Sequence, residues 1–169
     1  MVHPLGVGAI VRTGGASGKV GSFGMTRRDA AGNPKAHKGV DWLADLGAPI
    51  HAPCPAVVTR AGSELGGGGY GQRLVFRAHE QPLPGLNLWF LCGHMSRQDV
   101  GAGEAVVAGQ VVGLVGRSGN VSELEPTHLH FEFRVGTEHE PTFLESVPID
   151  PVPFLVTGMM LTLTGGILP

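Results

Sequence analysis

Residues 127–135 read Thr-His-Leu-His-Phe-Glu-Phe-Arg-Val, and from His128 onward polar and apolar side chains alternate. A period of two residues is typical of a β-strand, because successive side chains of a strand point to opposite faces. A helix would place residues two apart on nearly opposite sides. One face of the strand then carries four polar side chains, those of His128, His130, Glu132 and Arg134. The stretch therefore predicts a strand that holds two imidazoles side by side, which indicates a metal site.

Two other segments offer metal-binding side chains. His37 and Asp41 are four residues apart, a spacing that keeps both on one face of a strand or a helix. Gly39 between them favours a strand, and without a side chain it would leave room for an ion. His94 follows the apolar run 88–92, where we expect a strand to give way to a turn.

The number of candidate ligands favours catalysis. Zinc accepts imidazole nitrogen and carboxylate oxygen, and a catalytic zinc site typically uses three protein ligands and leaves one position for water. The sequence offers five candidate ligands, two more than a catalytic site needs: His37, Asp41, His94, His128 and His130. Metal-assisted hydrolysis uses such additional groups to accept a proton and to stabilise the oxyanion. The pattern thus indicates a metallohydrolase rather than a structural zinc site.

Several ordered motifs together resemble the lysostaphin-like, or LytM-type, zinc endopeptidases, which cut peptide bonds in bacterial peptidoglycan. The motifs that carry the resemblance are Gly21-Ser22-Phe23-Gly24 with Arg27, residues 37–41, residues 48–53, Gly69-Tyr70-Gly71, His94-Met95-Ser96, residues 107–113, residues 116–119 and His128-Leu129-His130-Phe131-Glu132. Two regions depart from the family pattern. Residues 120–126 lengthen the connection before the His-x-His strand, and the segment after Pro151 has no counterpart in the family core.

The resemblance implies a role for each candidate residue. His37, Asp41 and His130 would bind one Zn²⁺ per chain, and His94 and His128 would be the catalytic pair that moves protons and polarises the carbonyl. It also implies a small antiparallel two-sheet sandwich or open barrel with little helix, formed by residues 1–150. Apart from the resemblance, a hydroxyl beside a glycine turn makes Tyr70 a candidate substrate contact. Glu132, on the histidine face, is a candidate for orienting a ring.

Composition alone predicts one all-β domain. The chain has 169 residues and 42% hydrophobic residues, enough for one ordinary core. It contains 28 glycines and 13 prolines with little helical periodicity, which predicts short strands joined by tight turns. We expect strands at about residues 18–24, 40–44, 55–62, 72–78, 86–93, 111–115 and 127–135.

Charge, cysteine count and hydropathy exclude several classes of function. A formal net charge of -2 without a basic run argues against nucleic-acid binding. No segment has the length of a membrane span. Cys54 and Cys92 are too few for a disulfide scaffold, so we expect buried thiols rather than a bridge.

The two ends of the chain suggest where the protein acts. The first ten residues lack the pattern of a signal peptide. For an enzyme of the cell wall this favours a phage-encoded protein, carried by the virion or released from the cytoplasm at lysis. Residues 151–169 are strongly apolar, and we expect them to pack on their own domain or to dock on another subunit of an assembly.

Two other functions compete with the peptidase hypothesis. A cupin also uses a His-x-His pair, but the cupin glutamate lies further beyond the second histidine than Glu132 does. A LytM-like module that only binds the cell wall or builds a larger assembly typically loses metal ligands, and here all are present. The remaining histidines are expected to be structural: His3, His51, His79 and His139.

Overall fold

The computed structural model describes residues 1–6, 10–12, 20–63, 69–81, 84–137 and 146–156. Within these ranges the chain forms twelve strands and one short helix. The strands are β1 (Ile10–Val11), β2 (Gly24–Arg28), β3 (Pro34–His37), β4 (Val40–Leu43), β5 (Pro49–His51), β6 (Ala56–Ser63), β7 (Gln72–Ala78), β8 (Asn87–Gln98), β9 (Ala105–Val106), β10 (Val111–Val115), β11 (His128–Gly136) and β12 (Val147–Ile149), and the helix α1 spans Val152–Val156.

Ten of these strands form one sheet, in which every pair is antiparallel. Its main path runs β1-β4-β11-β8-β7-β6-β9, β12 pairs with β11, and β10 pairs with both β5 and β8. β2 and β3 form a separate two-stranded ribbon. The expectation of an all-β, antiparallel fold with almost no helix is confirmed.

The hydrophobic core lies on one face of the central strands. Leu129, Phe131 and Phe133 of β11 are fully buried there, and Phe76 stacks on Phe90 with ring centroids 4.5 Å apart. Burial of such side chains stabilises a fold by about 1.5–3 kcal/mol each. Because the apolar face of β11 is used in this core, its polar residues must lie on the opposite face.

A β-bulge interrupts β8 at His94. The register of β7 against β8 shifts between Cys92 and Met95, which leaves Gly93 and His94 opposite a single residue of β7. His94 has a φ of 60°, the one positive φ at a non-glycine residue in the part of the chain that the structure describes. Regular alternation would send His94 into the core after Phe90 and Cys92. The bulge gives that core position to Met95 and turns His94 to the other face.

Most expected strands are confirmed, with several differences. The expected ranges 72–78 and 111–115 coincide with β7 and β10. The expected strand at 18–24 is wrong over its described part, because residues 20–23 form a turn and bend and β2 begins at Gly24. The expected turn at His94 is also wrong, since β8 continues to Gln98. The β2–β3 ribbon was missed because its polar residues give no apolar alternation.

The region after Pro151 begins with the helix α1. Its Leu155 is buried, and Phe154 contacts Phe133 with ring centroids 6.1 Å apart. Residues 157–169, on which the docking expectation rests, lie outside the described residues. No helix within the described ranges is long and apolar enough to cross a membrane.

Both cysteines are buried free thiols, as expected. Burial raises the pKa of Cys54 to about 11 and raises the pKa of Cys92 as well. Neither thiol is therefore ionised near neutral pH, and both act as small apolar core residues.

Candidate metal centre

Strand pairing brings the first two candidate ligands together. β4 and β11 are neighbours, and their register places Asp41 directly opposite His130. Apolar partners on the same two strands, such as Trp42 and Leu129, point into the core. Asp41 and His130 therefore share the other face, where directly opposed side chains lie close enough to interact.

His37 completes the cluster from the end of β3. Its Nε2 lies 3.1 Å from Nδ1 of His130 and 3.2 Å from Oδ1 of Asp41, and the latter two atoms are 2.8 Å apart. Ligands bound tetrahedrally at about 2.0–2.1 Å lie roughly 3.3 Å from one another. The spacing and the mixture of two imidazole nitrogens and one carboxylate oxygen fit one Zn²⁺, and all three residues are buried.

Gly39 serves the cluster in a different way from the one expected. It lies between β3 and β4, and a Cβ atom there would come within 2.3 Å of the Phe131 carbonyl oxygen and 2.8 Å of Glu132 Cγ. The space above it is therefore filled by β11. The lack of a side chain lets the His37–Asp41 segment approach β11 closely enough for the ligands to meet.

A hydrogen-bond chain orients the His130 ring. Its Nε2 lies 2.9 Å from Oε1 of Glu132, and the Tyr70 hydroxyl donates to the same oxygen at 2.6 Å. In the neutral form of the ring, which a metal requires, a proton on Nε2 leaves the lone pair of Nδ1 directed at Asp41 and His37. Glu132 is 0% exposed and its other oxygen lies 3.3 Å from Nε of Arg134. The expected orienting role of Glu132 agrees with this geometry.

Two arginines hold the second oxygen of Asp41. Nη2 of Arg12 lies 3.2 Å from Oδ2, and the Arg27 guanidinium contacts the same atom and Nε2 of His37. Burial alone would raise the pKa of Asp41, but hydrogen bonds from His130 and His37 outweigh it and lower that pKa. Asp41 is therefore ionised, with Oδ1 facing His37 and His130 and Oδ2 facing the two arginines.

The charge of His130 is set by the same carboxylates. Burial alone would lower its pKa, but Asp41 and Glu132 outweigh burial and raise the pKa of His130 to about 9. Burial lowers the pKa of His37. One imidazolium between two carboxylates thus balances part of the buried negative charge, and a metal cation at the three ligand atoms would take over that task.

His94 and His128 lie beside the cluster, and each donates a hydrogen bond to a backbone carbonyl. Nδ1 of His94 donates to the Ser118 carbonyl and Nδ1 of His128 to the Pro126 carbonyl, both at 2.9 Å. Each ring therefore keeps its Nε2 lone pair available, and the two ring centroids are 5.0 Å apart. Burial lowers the pKa of His94 to about 4 and also lowers the pKa of His128. Both rings are neutral at pH 7.

The cluster opens into a cleft of about 250 Å³. One wall belongs to the β2–β3 ribbon and the following residue, the other to the segments around Tyr70 and Asn120. The residues that line it include Arg27, Lys35, His37, Lys38, Tyr70, His94, Asn120, His130 and Glu132. All the candidate site residues predicted from the sequence, His37, Asp41, His94, His128, His130 and Tyr70, are thus brought to one place, and the Tyr70 and His130 ring centroids are 5.2 Å apart.

Arg12 is the site residue that the sequence did not reveal. Its guanidinium connects Asp41 to Oε1 of Glu125, at 3.2 Å in each case, and so ties the cluster to the 120–126 segment. Its backbone N–H also donates to the Asp41 carbonyl at 2.8 Å. No local pattern marks this arginine, because its partners lie 29 and more residues away in the chain.

Three histidines expected to be structural lie outside the cluster. His3 packs edge-on against Trp42, Nδ1 of His51 contacts the Gly109 carbonyl, and the backbone N–H of His79 donates to Pro55. His139 lies outside the described residues.

The sequence and the fold both place the chain among known peptidases. A model of Peptidase family M23 matches residues 35–151. The chain belongs to peptidase family M23. This confirms the resemblance to lysostaphin-like enzymes, and membership argues against the cupin hypothesis.

Relatives of this M23 chain include named endopeptidases. It is 34% identical over 109 residues to the peptidoglycan DD-endopeptidase ShyC of Vibrio cholerae, covering 64% of this chain and 22% of ShyC. It is 32% identical over 121 residues to lysostaphin of Staphylococcus simulans, covering 70% of this chain and 21% of lysostaphin. The chain thus spans less than a quarter of the length of either relative.

Solved structures show the same fold. The structure of lysostaphin from Staphylococcus simulans superposes with a TM-score of 0.63 at 24% identity. The match covers 94% of this M23 chain and 55% of the lysostaphin chain. A second match is a mutant catalytic domain of the prophage-encoded M23 protein EnpA from Enterococcus faecalis, with a TM-score of 0.62 at 24% identity. It covers 89% of this chain and 95% of the EnpA chain.

Proposed function

We propose that this protein is a zinc metalloendopeptidase that hydrolyses peptide bonds in bacterial peptidoglycan, in stem peptides or cross-bridges. The observation that carries the proposal is the convergence of His37 Nε2, Asp41 Oδ1 and His130 Nδ1, with the lone pairs of His94 and His128 beside them. Family membership supports a peptidase, and the name of ShyC supports peptidoglycan as its substrate.

His37, Asp41 and His130 would hold one Zn²⁺. A bound zinc ion supplies Lewis acidity, which lowers the pKa of water and polarises a carbonyl. The arginines on Oδ2 leave Oδ1 of Asp41 for the metal, and Glu132 fixes the His130 ring so that Nδ1 points to it. Nitrogen and oxygen donors of this kind suit zinc among the common divalent ions.

His94 and His128 are the proposed catalytic residues. Because each ring donates Nδ1–H to a backbone carbonyl and is neutral, its Nε2 can accept a proton from the attacking water. The protonated ring can then donate to the oxyanion or to the leaving amine. Tyr70 lines the same cleft and is proposed to contact the substrate peptide.

Cell-wall assays with and without metal separate this proposal from a non-catalytic module. Purified protein is incubated with peptidoglycan, and released amino groups are measured after chelation and after zinc is restored. We expect release with zinc and none with chelator, and mass spectrometry of the products would identify the bond. Binding of peptidoglycan without new amino groups would instead support the LytM-like structural or cell-wall-binding module.

Three further expectations belong to this proposal. Residues 1–150 are the proposed catalytic unit, and residues 151–169 are an apolar extension. Truncation after Pro153 would test this division, with oligomeric state and solubility as the measured properties.

A phage origin, with delivery in the virion or release at lysis, would be tested by mass spectrometry of purified virions. Action at the cell wall follows from the proposed substrate.

A further inference from the structure

The β2–β3 ribbon and the residue that follows it carry most of the charged side chains that line the cleft. Arg27, Lys35 and Lys38 line the cleft, whereas Arg28 of the same ribbon is exposed and bonds to the Gly32 carbonyl. Since the whole chain has a formal net charge of -2, this wall is a local concentration of positive charge.

Strand pairing within the ribbon puts like charges together. Arg27 and Lys35 are directly opposite each other in the register of β2 and β3. Opposed like charges destabilise a strand pair. Lys35 also shares its side of β3 with His37, two residues further on, so its side chain points toward the metal ligands. Arg27 pairs with Asp41, so the metal-ligand cluster accounts for its position, whereas the cluster, all of whose residues the structure describes, has no contact that accounts for Lys35.

The nearby acids are already engaged. Asp29 at the ribbon tip accepts hydrogen bonds from the backbone of Ala31 and from Asn33. Glu132, the carboxylate that lines the cleft, contacts His130, Tyr70 and Arg134. Within the described part of the chain, Lys35 and Lys38 make no ion pair, although the charge of Lys35 contributes to a lowered pKa of Asp29. Their ammonium groups are therefore not bound to a carboxylate.

The opposite wall is uncharged. It is formed by Gly69, Tyr70, His94 and Asn120, and burial keeps His94 neutral at pH 7. A cleft of about 250 Å³ is smaller than the roughly 300–1,000 Å³ of typical small-molecule pockets, so only a short part of a substrate can lie inside it. Extended peptide advances about 3.3 Å per residue, so a carboxylate one or two residues from the cleaved bond would lie roughly 3–7 Å from it.

We propose that Lys35 and Lys38 form a carboxylate-binding wall, so that the preferred substrate is a peptide with a free carboxylate close to the scissile bond rather than an uncharged oligoglycine. This inference rests on the proposed endopeptidase function and names its substrate class. Lysine suits this task because its charge is compact and its long side chain adapts to carboxylates in slightly different positions.

The test compares substrates that differ only in charge. Zinc-loaded protein is given a cross-linked stem-peptide dimer with free carboxylates, the same dimer converted to carboxamides, and capped pentaglycine. We expect kcat/KM for the carboxylate dimer to exceed that for the carboxamide dimer about three- to tenfold, mainly through KM, with the ratio falling as salt rises. Dimers amidated at only the terminal or only the side-chain carboxyl would locate the group that is recognised.

Variants assign the preference to the wall. The double variant Lys35→Gln with Lys38→Gln should bring the carboxylate-to-carboxamide ratio close to one. Arg28→Gln removes the same kind of charge from the ribbon outside the cleft and should keep the wild-type ratio. Equal turnover of the two dimers by wild-type protein, faster cleavage of pentaglycine, or an unchanged ratio in the double variant would overturn the inference.

Binding measurements keep the two proposals distinguishable. If neither the dimers nor pentaglycine is cleaved, the proposed function fails, and calorimetry with the same two dimers then decides the inference. Tighter binding of the carboxylate dimer by wild-type protein but not by the double variant supports the wall. Equal binding of both dimers by wild-type protein overturns it.

Discussion

The two faces of β11 are both buried but are held by different forces. On one face, Phe131 and its apolar neighbours pack in the core, where contacts are non-directional. On the other face, His130 and Glu132 are 5% and 0% exposed, and each polar group depends on a particular partner. Burying a polar group is unfavourable unless it is hydrogen-bonded, so His130 and Glu132 require partners from β3, β4 and the segment of Tyr70.

This difference explains what each face tolerates. The core face needs apolar side chains of suitable volume, and several combinations can meet that need. The polar face needs particular atoms at separations of about 3 Å, and removal of one leaves buried charges without partners. Substitutions on the polar face should therefore mainly cause loss of function, and substitutions on the core face should mainly cause loss of stability.

His130→Ala should have the largest effect. It removes one proposed zinc ligand, and it leaves the buried carboxylates of Asp41 and Glu132 without the ring that pairs with both. Zinc content and peptidase activity should therefore both be abolished. Metal analysis and the amino-group assay would measure these losses. His51→Ala is the control, because the His51 ring bonds to Gly109 outside the cluster. Stoichiometric zinc in His130→Ala would contradict the ligand assignment.

His94→Ala or His128→Ala should separate catalysis from metal binding. Neither ring is a proposed ligand, so zinc content should stay near that of the wild type, while kcat falls by roughly two to four powers of ten. Steady-state kinetics together with metal analysis would check both quantities. If either variant retained wild-type turnover, its assigned catalytic role would be wrong.

Phe131→Ala tests the apolar face of the same strand. The large cavity it creates should lower the free energy of unfolding by about 3–5 kcal/mol. The folded variant should still bind zinc, because the His130 side chain lies on the opposite face. Denaturant unfolding and zinc titration would show this pattern. Loss of zinc binding in a variant that remains folded would mean that the two faces are not independent.

Among the substitutions on the polar face, Glu132→Ala should have the smallest effect on function. Without the carboxylate the His130 ring loses the group that fixes its orientation, so zinc affinity should fall about 10- to 100-fold. Glu132→Gln keeps an acceptor oxygen and should restore part of the affinity. Competition with a chelator of known affinity would measure both variants. Equal affinity in wild type and Glu132→Ala would exclude the orienting role.

The amino-acid sequence was informative wherever the pattern was local. Alternation predicted β11 and the shared face of His128 and His130, and apolar runs predicted β7 and β10 closely. It was wrong at His94, because a bulge depends on how β8 pairs with three different strands. It also missed Arg12, whose contact with Asp41 joins segments that are distant in the chain.

What the sequence determined by itself was the chemistry available to the protein: an antiparallel β fold, the family, and the imidazole and carboxylate groups that one strand face would present. Those properties follow from side-chain type and from the two-residue period of a strand. Only the tertiary structure decided which atoms meet. The opposition of Asp41 and His130, the close passage of Gly39 over β11 and the turning of His94 out of the core all depend on long-range register, which no local pattern encodes.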